Sequence, residues 1–145
     1  MDKRIVVVDG MGGGIGAQLV AKLREALGSG VEILALGTNS SATERMLKAG
    51  ADRGASGENA IRTSVALGDL ILGPIGIALP NGMLGEISPA IAQAVLAAPG
   101  RRILVPVAQE HFAIAGLEPR PVGRLVEAAA ALAAAALGGE PGAAR

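Results

Sequence analysis

The sequence predicts an α/β domain with three layers: an open, mostly parallel sheet of five or six strands, with helices on both faces. Short apolar runs typical of buried strands alternate with segments whose apolar residues recur at helical spacing. A glycine-rich segment, 10–16, lies between the first strand and the first helix. The 145 residues suffice for one core, so we predict a single domain over 1–137 and a mobile tail over 138–145.

The first half of the chain shows the clearest alternation. A strand is predicted over Lys3–Val8 because its last four residues are all β-branched and apolar, as in strands covered on both faces. The following helix ends near Gly28, and a second strand covers Val31–Leu36. A turn of capping residues, 37–40, precedes a helix over Ala42–Ala49.

The second half has shorter apolar runs and more turn-forming residues. Ser88 and Pro89 are typical of a helix start, as N-cap and first-turn proline. The predicted elements are, in chain order, a very short strand within 51–57, a helix over Glu58–Leu67, a strand over Asp69–Gly73, a helix from Ser88 to about Ala98, a strand over Arg102–Val107, a short sixth strand over His111–Ala115 and a helix over Val122–Leu137.

Two glycine-containing loops, 10–16 and 73–76, follow strands of this sheet. Crossovers between parallel strands bring the carboxyl ends of all strands to one edge, where ligands bind at the switch in strand order. Glycines let the backbone approach a pyrophosphate, whose charge meets free N–H groups at a helix N-terminus. We therefore predict a nucleotide or dinucleotide ligand. Its expected binding residues are Asp9, Gly10, Gly12, Gly14, Ile15, Gly16, Thr38, Asn39, Ser40, Gly73, Pro74 and Ile75.

The turn after the second strand bears on the kind of dinucleotide. In NAD-binding proteins an acidic residue at this place holds the ribose hydroxyls, but here Thr38, Asn39 and Ser40 occupy it. Their hydroxyl and amide groups, with Arg45 nearby, could accept a 2′-phosphate, which favours an NADP-type cofactor. The same groups could instead only cap the following helix.

The composition excludes several classes of function. Thirteen Lys and Arg residues balance thirteen Asp and Glu residues, so the chain lacks a positive field that would attract nucleic acids or anionic membranes. The absence of cysteine removes disulfides, zinc–thiolate sites and thiol nucleophiles. With no Trp, no Tyr and one Phe, stacking on bases is not a main mode of recognition. We expect neither nucleic acid nor a membrane as partner.

Hydropathy points to an assembly. The mean hydropathy of +0.47, with 18% charged residues, is high for one small domain and predicts a homo-oligomer. The sequence contains no recognisable signal peptide or membrane-spanning run, so we expect a cytoplasmic protein. The alternative to nucleotide binding is a non-catalytic oligomeric interaction or regulatory subunit, in which the glycine loops are structural.

Two residues are candidates for catalysis, although no reaction is indicated. Glu86 lies in an apolar setting and would act as an acid or base if burial raised the pKa of its carboxyl group. His111 is the only histidine, so it cannot form a multi-histidine metal site. Asp9, Glu58 and Glu86 could bind magnesium beside a phosphate, but their spacing does not require it and we predict no metal.

Two resemblances follow from the motifs. The loop 10–16, with its closing Gly-Ile-Gly, resembles the dinucleotide loop of the short-chain dehydrogenases, but their Tyr-x-x-x-Lys pair is impossible in a chain without tyrosine. Nearly the whole chain resembles a family of short bacterial proteins classed as a domain of unknown function. This resemblance implies a Rossmann-like fold and no particular activity. It rests on the blocks 9–16, 35–40, 57–60, 73–77 and 83–89.

Overall fold

The computed structural model describes residues 3–107 and 112–138. Strands and helices alternate through this part of the chain, as predicted. The strands are β1 (Lys3–Asp9), β2 (Val31–Gly37), β3 (Arg53–Ser56), β4 (Leu70–Pro74) and β5 (Arg101–Val105). The helices are α1 (Gly14–Leu27), α2 (Ser40–Lys48), α3 (Glu58–Ser64), α4 (Pro89–Ala97) and α5 (Val122–Gly138), with 3₁₀ turns at Val65–Leu67 and Ile75–Ala78.

All five strands of the sheet are parallel, in the order β3-β2-β1-β4-β5. The central strand is β1, in which Val6 pairs with Leu34 of β2 and Ile71 of β4. The predicted open α/β sheet is confirmed, and its strands are entirely parallel. Because β2 and β4 lie on opposite sides of β1, the strand order switches at the carboxyl end of β1.

A separate core lies on each face of the sheet. Ile5 and Val7 of β1 point into one core, formed with α1, α2 and α5, whereas Val6 and Val8 point into the other, formed with α3 and α4. All four side chains are completely buried. This double burial is the reason for the continuous apolar run in β1, since a strand exposed on one face alternates apolar and polar residues.

Several boundaries differ from the prediction. The α-helix that begins at Glu58 ends at Ser64 and continues as a 3₁₀ turn before Gly68. The predicted sixth strand is wrong for 112–115, which form no strand; Gly116 follows in a left-handed conformation that breaks an extended chain. His111 lies outside the described residues, as does the predicted tail beyond Gly138, the last residue of α5.

The longest helix, α5, has 17 residues and is rich in alanine. Over residues 3–107 and 112–138, no helix combines the length and the apolar character needed to cross a membrane.

Candidate functional site

A cavity of about 590 Å³ opens where the strand order switches, at the carboxyl ends of β1 and β4. The loop between β1 and α1 forms one wall, and residues that end or follow β4 form another. The cavity is lined by Asp9, Gly10, Met11, Gly12, Gly13, Gly14, Ile15, Pro74, Gly76, Met83 and Val107. It therefore lies at the edge of the sheet where the sequence predicts a ligand.

Asp9 ties the two ends of the glycine-rich loop together. Its side chain is almost completely buried; Oδ1 accepts a hydrogen bond from the N–H of Gly10 at 2.8 Å, and Oδ2 accepts one from the N–H of Gly16 at 2.7 Å. Burial raises the pKa of Asp9 above its ordinary value, and these amide hydrogen bonds oppose the rise. Because both oxygens bind backbone amides, Asp9 holds the loop against the first turn of α1.

Three glycines of the loop are required by close packing. A Cβ on Gly10 would lie 2.7 Å from the sulfur of Met83, in the loop that follows β4. Gly13 has a φ of 73°, and a Cβ there would lie 2.7 Å from the Cα of Ala42. A Cβ on Gly16, in the first turn of α1, would lie 2.6 Å from Sδ of Met46 on α2. At each of these positions an added side chain would force neighbouring atoms to shift, whether or not a ligand binds.

Gly12 and Gly14 differ from these three. The atom nearest to an added Cβ is Nη1 of Arg45, at 3.8 Å for Gly12 and 3.5 Å for Gly14, which are ordinary van der Waals distances. Neither glycine has a positive φ. In the part of the chain that the structure describes, nothing in the packing of the protein itself requires glycine at either position.

Unpaired amides surround the same open space. Over residues 3–107 and 112–138, the N–H groups of Gly12, Gly14 and Ile15 have no hydrogen-bond acceptor. All three residues line the cavity at the N-terminus of the 14-residue helix α1, where the helix dipole adds partial positive charge. Nη1 of exposed Arg45 lies 3.4 Å from the carbonyl oxygen of Gly12, which adds a full positive charge beside the loop.

Glu86 links the loops that follow β1, β2 and β4. Its Oε1 accepts a hydrogen bond from the N–H of Met11 at 2.8 Å, a second from Nδ2 of Asn39 at 3.0 Å, and a third from the hydroxyl of Thr38. The amide of Asn39 also donates to the carbonyl oxygen of Met11, and its Oδ1 caps α2. Thr38 and Asn39 therefore hold a carboxylate at the end of β2, where the local sequence contains none.

The expected rise in the pKa of Glu86 does not occur. Its side chain is half-buried, and the hydrogen bonds from Thr38 and Met11 lower the pKa of the carboxyl group, more than desolvation raises it. Glu86 is therefore ionised at neutral pH and does not have the raised pKa expected of a general acid. The other catalytic candidate, His111, lies outside the described residues.

We expect Glu86→Gln to lower the free energy of unfolding by about 1 kcal/mol at pH 7, since an amide replaces a charged hydrogen-bond acceptor. Because the folded-state pKa of Glu86 lies below its ordinary value of 4.5, its stabilisation is present above pH 4.5 and is lost as the pH falls through the folded-state pKa. Urea unfolding followed by far-UV circular dichroism at pH 7, 5, 4 and 3 measures this, because the chain has no tryptophan to report it.

The control is Glu44→Gln, which alters an exposed carboxylate on α2 and should change stability by less than about 0.5 kcal/mol. A difference between wild-type protein and Glu86→Gln that stays the same from pH 7 to pH 3 contradicts this assignment.

The predicted binding residues separate into two groups. Half of them line the cavity, namely Asp9, Gly10, Gly12, Gly14, Ile15 and Pro74. Of the rest, Gly16 packs against Met46, Thr38 and Asn39 bind Glu86, and exposed Ser40 begins α2. Gly73 and Ile75 also lie away from the cavity lining: Gly73 is buried against the backbone of β1, and Ile75 begins a 3₁₀ turn.

Some cavity residues could not be found from local patterns. Gly76 and Met83 follow β4, and Val107 follows β5; each reaches the cavity only because these strands end beside β1. Of these three residues, only Gly76 lies in a loop that the sequence singled out, the glycine-containing segment 73–76. Met83 and Val107 are apolar residues that nothing in the sequence distinguishes from core residues.

A metal site does not form from the carboxylates considered above. In the described ranges, 3–107 and 112–138, no three His, Cys, Asp or Glu side chains are grouped closely enough to hold a metal ion. Glu58 instead accepts a hydrogen bond from the hydroxyl of Ser88, at the start of α4.

The fold and the site define a doubly wound, Rossmann-like α/β protein with its glycine-rich loop at the switch in strand order. The family model described as "Domain of unknown function (DUF3842)" matches residues 4–137. The chain belongs to this family, which confirms the resemblance to a short family of unknown function.

Other comparisons are less informative. No curated protein matches the chain. A solved structure that resembles it is the crystal structure of the dodecameric FMN-dependent UbiX-like decarboxylase from Escherichia coli O157:H7, with 18% identity and a TM-score of 0.45 over 99% of this chain and 98% of that chain. The likeness is loose, and nothing about the function of this chain follows from it.

Proposed function

We propose that this protein binds a nucleotide through its phosphate group at the N-terminus of α1. The observation that carries the proposal is that Gly12 and Gly14 lack side chains although the packing would accept them. A phosphate group close to the backbone supplies a reason for both glycines, because a Cβ would keep it away from the free N–H groups.

The charges around the loop suit an anion. The unpaired amides of Gly12, Gly14 and Ile15 offer hydrogen bonds, and the dipole of α1 favours negative charge at the same place. Arg45 provides a charged donor whose contact with the carbonyl of Gly12 is long, at 3.4 Å, and therefore easily exchanged for a phosphate oxygen. Both carboxylate oxygens of Asp9 accept hydrogen bonds from backbone amides. The side chain of Asp9 therefore repels a nearby anion less than a carboxylate without such partners would.

The surroundings offer room for more than a phosphate. A second, mainly apolar cavity of about 390 Å³ lies between the segment 112–120 and the start of α5. Val107 lines both cavities, so they adjoin. An uncharged ring system attached to a phosphate at the glycine-rich loop would find apolar side chains there, among them Phe112, Ile114 and Leu117.

The finer prediction of an NADP-type cofactor is not part of this proposal. It requires Thr38, Asn39 and Ser40 to be available to a 2′-phosphate. Thr38 and Asn39 instead donate hydrogen bonds to the carboxylate of Glu86, which would repel a phosphate at that place.

Binding is tested by native mass spectrometry and calorimetry of the purified protein with NAD(H), NADP(H), ATP, FMN and inorganic pyrophosphate. We expect pyrophosphate and at least one nucleotide to bind. If none of these compounds binds, pyrophosphate included, the proposal is wrong.

Replacing Arg45 by methionine should weaken pyrophosphate binding about tenfold, because one charged hydrogen bond to a phosphate is lost, worth about 1.4 kcal/mol. The salt dependence of binding should decrease as well, since one cation fewer faces the anion. Lys48→Met, on the same helix and with the same loss of charge, is the control and should bind as the wild-type protein does. Equal pyrophosphate affinities for the two variants would show that Arg45 does not contact the bound phosphate.

A second candidate function has support from other glycines of the loop. Gly10, Gly13 and Gly16 are explained by packing, as expected for a non-catalytic interaction or regulatory subunit. That candidate also includes the predicted homo-oligomer, which native mass spectra of the same sample would report directly. It accounts for neither Gly12 nor Gly14, and we therefore rank it below nucleotide binding.

A further inference from the structure

Glu86 occupies a place that local sequence leaves without a carboxylate. It lies 48 residues after Thr38 in the chain, yet its carboxylate accepts hydrogen bonds from both residues that follow β2 and from the loop that follows β1. The end of β2 adjoins the end of β1, because Gly37 pairs with Asp9 and the N–H of Thr38 donates to the carbonyl oxygen of Asp9 at 3.0 Å. Glu86 therefore stands beside the glycine-rich loop.

The loop that carries Glu86 has an unusual backbone. Asn81, Met83 and Leu84 have φ values of 64°, 56° and 56°, in the left-handed region that residues other than glycine rarely adopt. The side chain of Leu84 is 93% exposed, so its own packing does not account for this conformation. The hydrogen bonds of Glu86 connect this strained segment to the other two loops, and strain of this kind persists only where surrounding contacts hold it.

One oxygen of Glu86 is still available. All three hydrogen bonds from Met11, Thr38 and Asn39 go to Oε1. Within the described part of the chain, Oε2 has no hydrogen-bond donor. Glu86 thus offers a fixed, negatively charged acceptor at the end of β2.

We propose that Glu86 determines nucleotide specificity: its carboxylate accepts hydrogen bonds from ribose hydroxyls and excludes a ribose that carries a 2′-phosphate. The inference rests on the proposed function, since it places the ribose next to the phosphate bound at the glycine-rich loop. A carboxylate pairs well with hydroxyl donors, whereas a phosphate brings only acceptor oxygens and like charge. In parallel α/β sheets that bind NAD, an acidic residue at the end of the second strand has this role. Here the loop after β4 supplies it.

The test compares NAD⁺ with NADP⁺, because the two probes differ only by the 2′-phosphate. Isothermal titration should show that the wild-type protein binds NAD⁺ at least about tenfold more tightly. In Glu86→Gln the affinity for NAD⁺ should fall about fivefold and that for NADP⁺ should rise, so that the preference is lost. Glu58→Gln, which alters another hydrogen-bonded carboxylate at a helix start, is the control and should keep the wild-type preference.

A second variant covers the case in which Glu86→Gln does not fold, as judged by circular dichroism. Thr38→Val removes one of the three donors that hold Glu86 and should reduce the preference for NAD⁺ in the same direction, by a smaller factor. Equal binding of NAD⁺ and NADP⁺ by the wild-type protein overturns the inference. If neither NAD⁺ nor NADP⁺ binds while pyrophosphate does, the inference is overturned and the proposed phosphate site stands. If pyrophosphate does not bind either, the proposed function itself is overturned.

Discussion

Replacing Gly14 by alanine should weaken nucleotide and pyrophosphate binding about 100-fold, or about 2.7 kcal/mol, without destabilising the protein. The added methyl group would lie 3.5 Å from Nη1 of Arg45, in the gap between the free amides and the guanidinium group that the phosphate is proposed to enter. Nothing else in the described protein obstructs it. Because Gly14 is the first residue of α1 and has no positive φ, alanine should raise the free energy of unfolding by about 0.4–1 kcal/mol.

Calorimetry with pyrophosphate and urea unfolding by circular dichroism measure the two effects on the same sample. Gly123→Ala is the matched control: Gly123 lies in the first turn of α5, and a Cβ there meets nothing within 4 Å. The control should gain similar stability and keep wild-type binding. Unchanged pyrophosphate binding in Gly14→Ala would mean that a ligand does not explain this glycine.

Replacing Gly16 by alanine should have the opposite consequence for stability. Its Cβ would lie 2.6 Å from Sδ of Met46 and 2.9 Å from Cβ of Asp9, so that α1 must shift or Asp9 must release its amide hydrogen bonds. We expect a loss of about 2–3 kcal/mol, the upper part of the roughly 1–3 kcal/mol that is typical of overpacking a buried site. The melting temperature should fall by roughly 6–10 °C. Alanine normally favours a helix over glycine, so a loss of this size isolates the steric effect.

The two variants together separate the candidate functions. Gly14 and Gly16 belong to the same motif, but only Gly16 contacts the core. A structural role for the whole loop predicts that both substitutions destabilise the protein. If Gly16→Ala is as stable as Gly14→Ala, the close approach of α1 to β1 described here is incorrect.

Much of the fold could be predicted from the sequence. The four β-branched residues before Asp9 required burial on both faces of a sheet, and the structure confirms two separate cores. The cap residue Ser88 starts α4 as its position before Pro89 indicated. The strand predicted over His111–Ala115 is wrong for 112–115, because a short apolar run has no periodicity that separates a strand from an irregular chain.

A cavity lies at the edge of the sheet where the sequence predicts a ligand, and the binding residues themselves stay a prediction. The glycine-rich loop lies at the carboxyl edge of the sheet because the strands are parallel, and it lies at the switch in strand order because β2 and β4 flank β1. Thr38 and Asn39 have donors suited to an anion, and the sequence pattern could not show that Glu86 already uses them.

The sequence by itself determined the fold class, the family and the edge of the sheet at which the glycine-rich loop lies, because these follow from local periodicity and motif order. Only the tertiary structure decided which glycines the packing requires and that Glu86 stands at the end of β2. The reason is that Cβ clearances and hydrogen bonds between residues far apart in the chain depend on how β1, β2 and β4 lie side by side. Local patterns contain no measure of those distances.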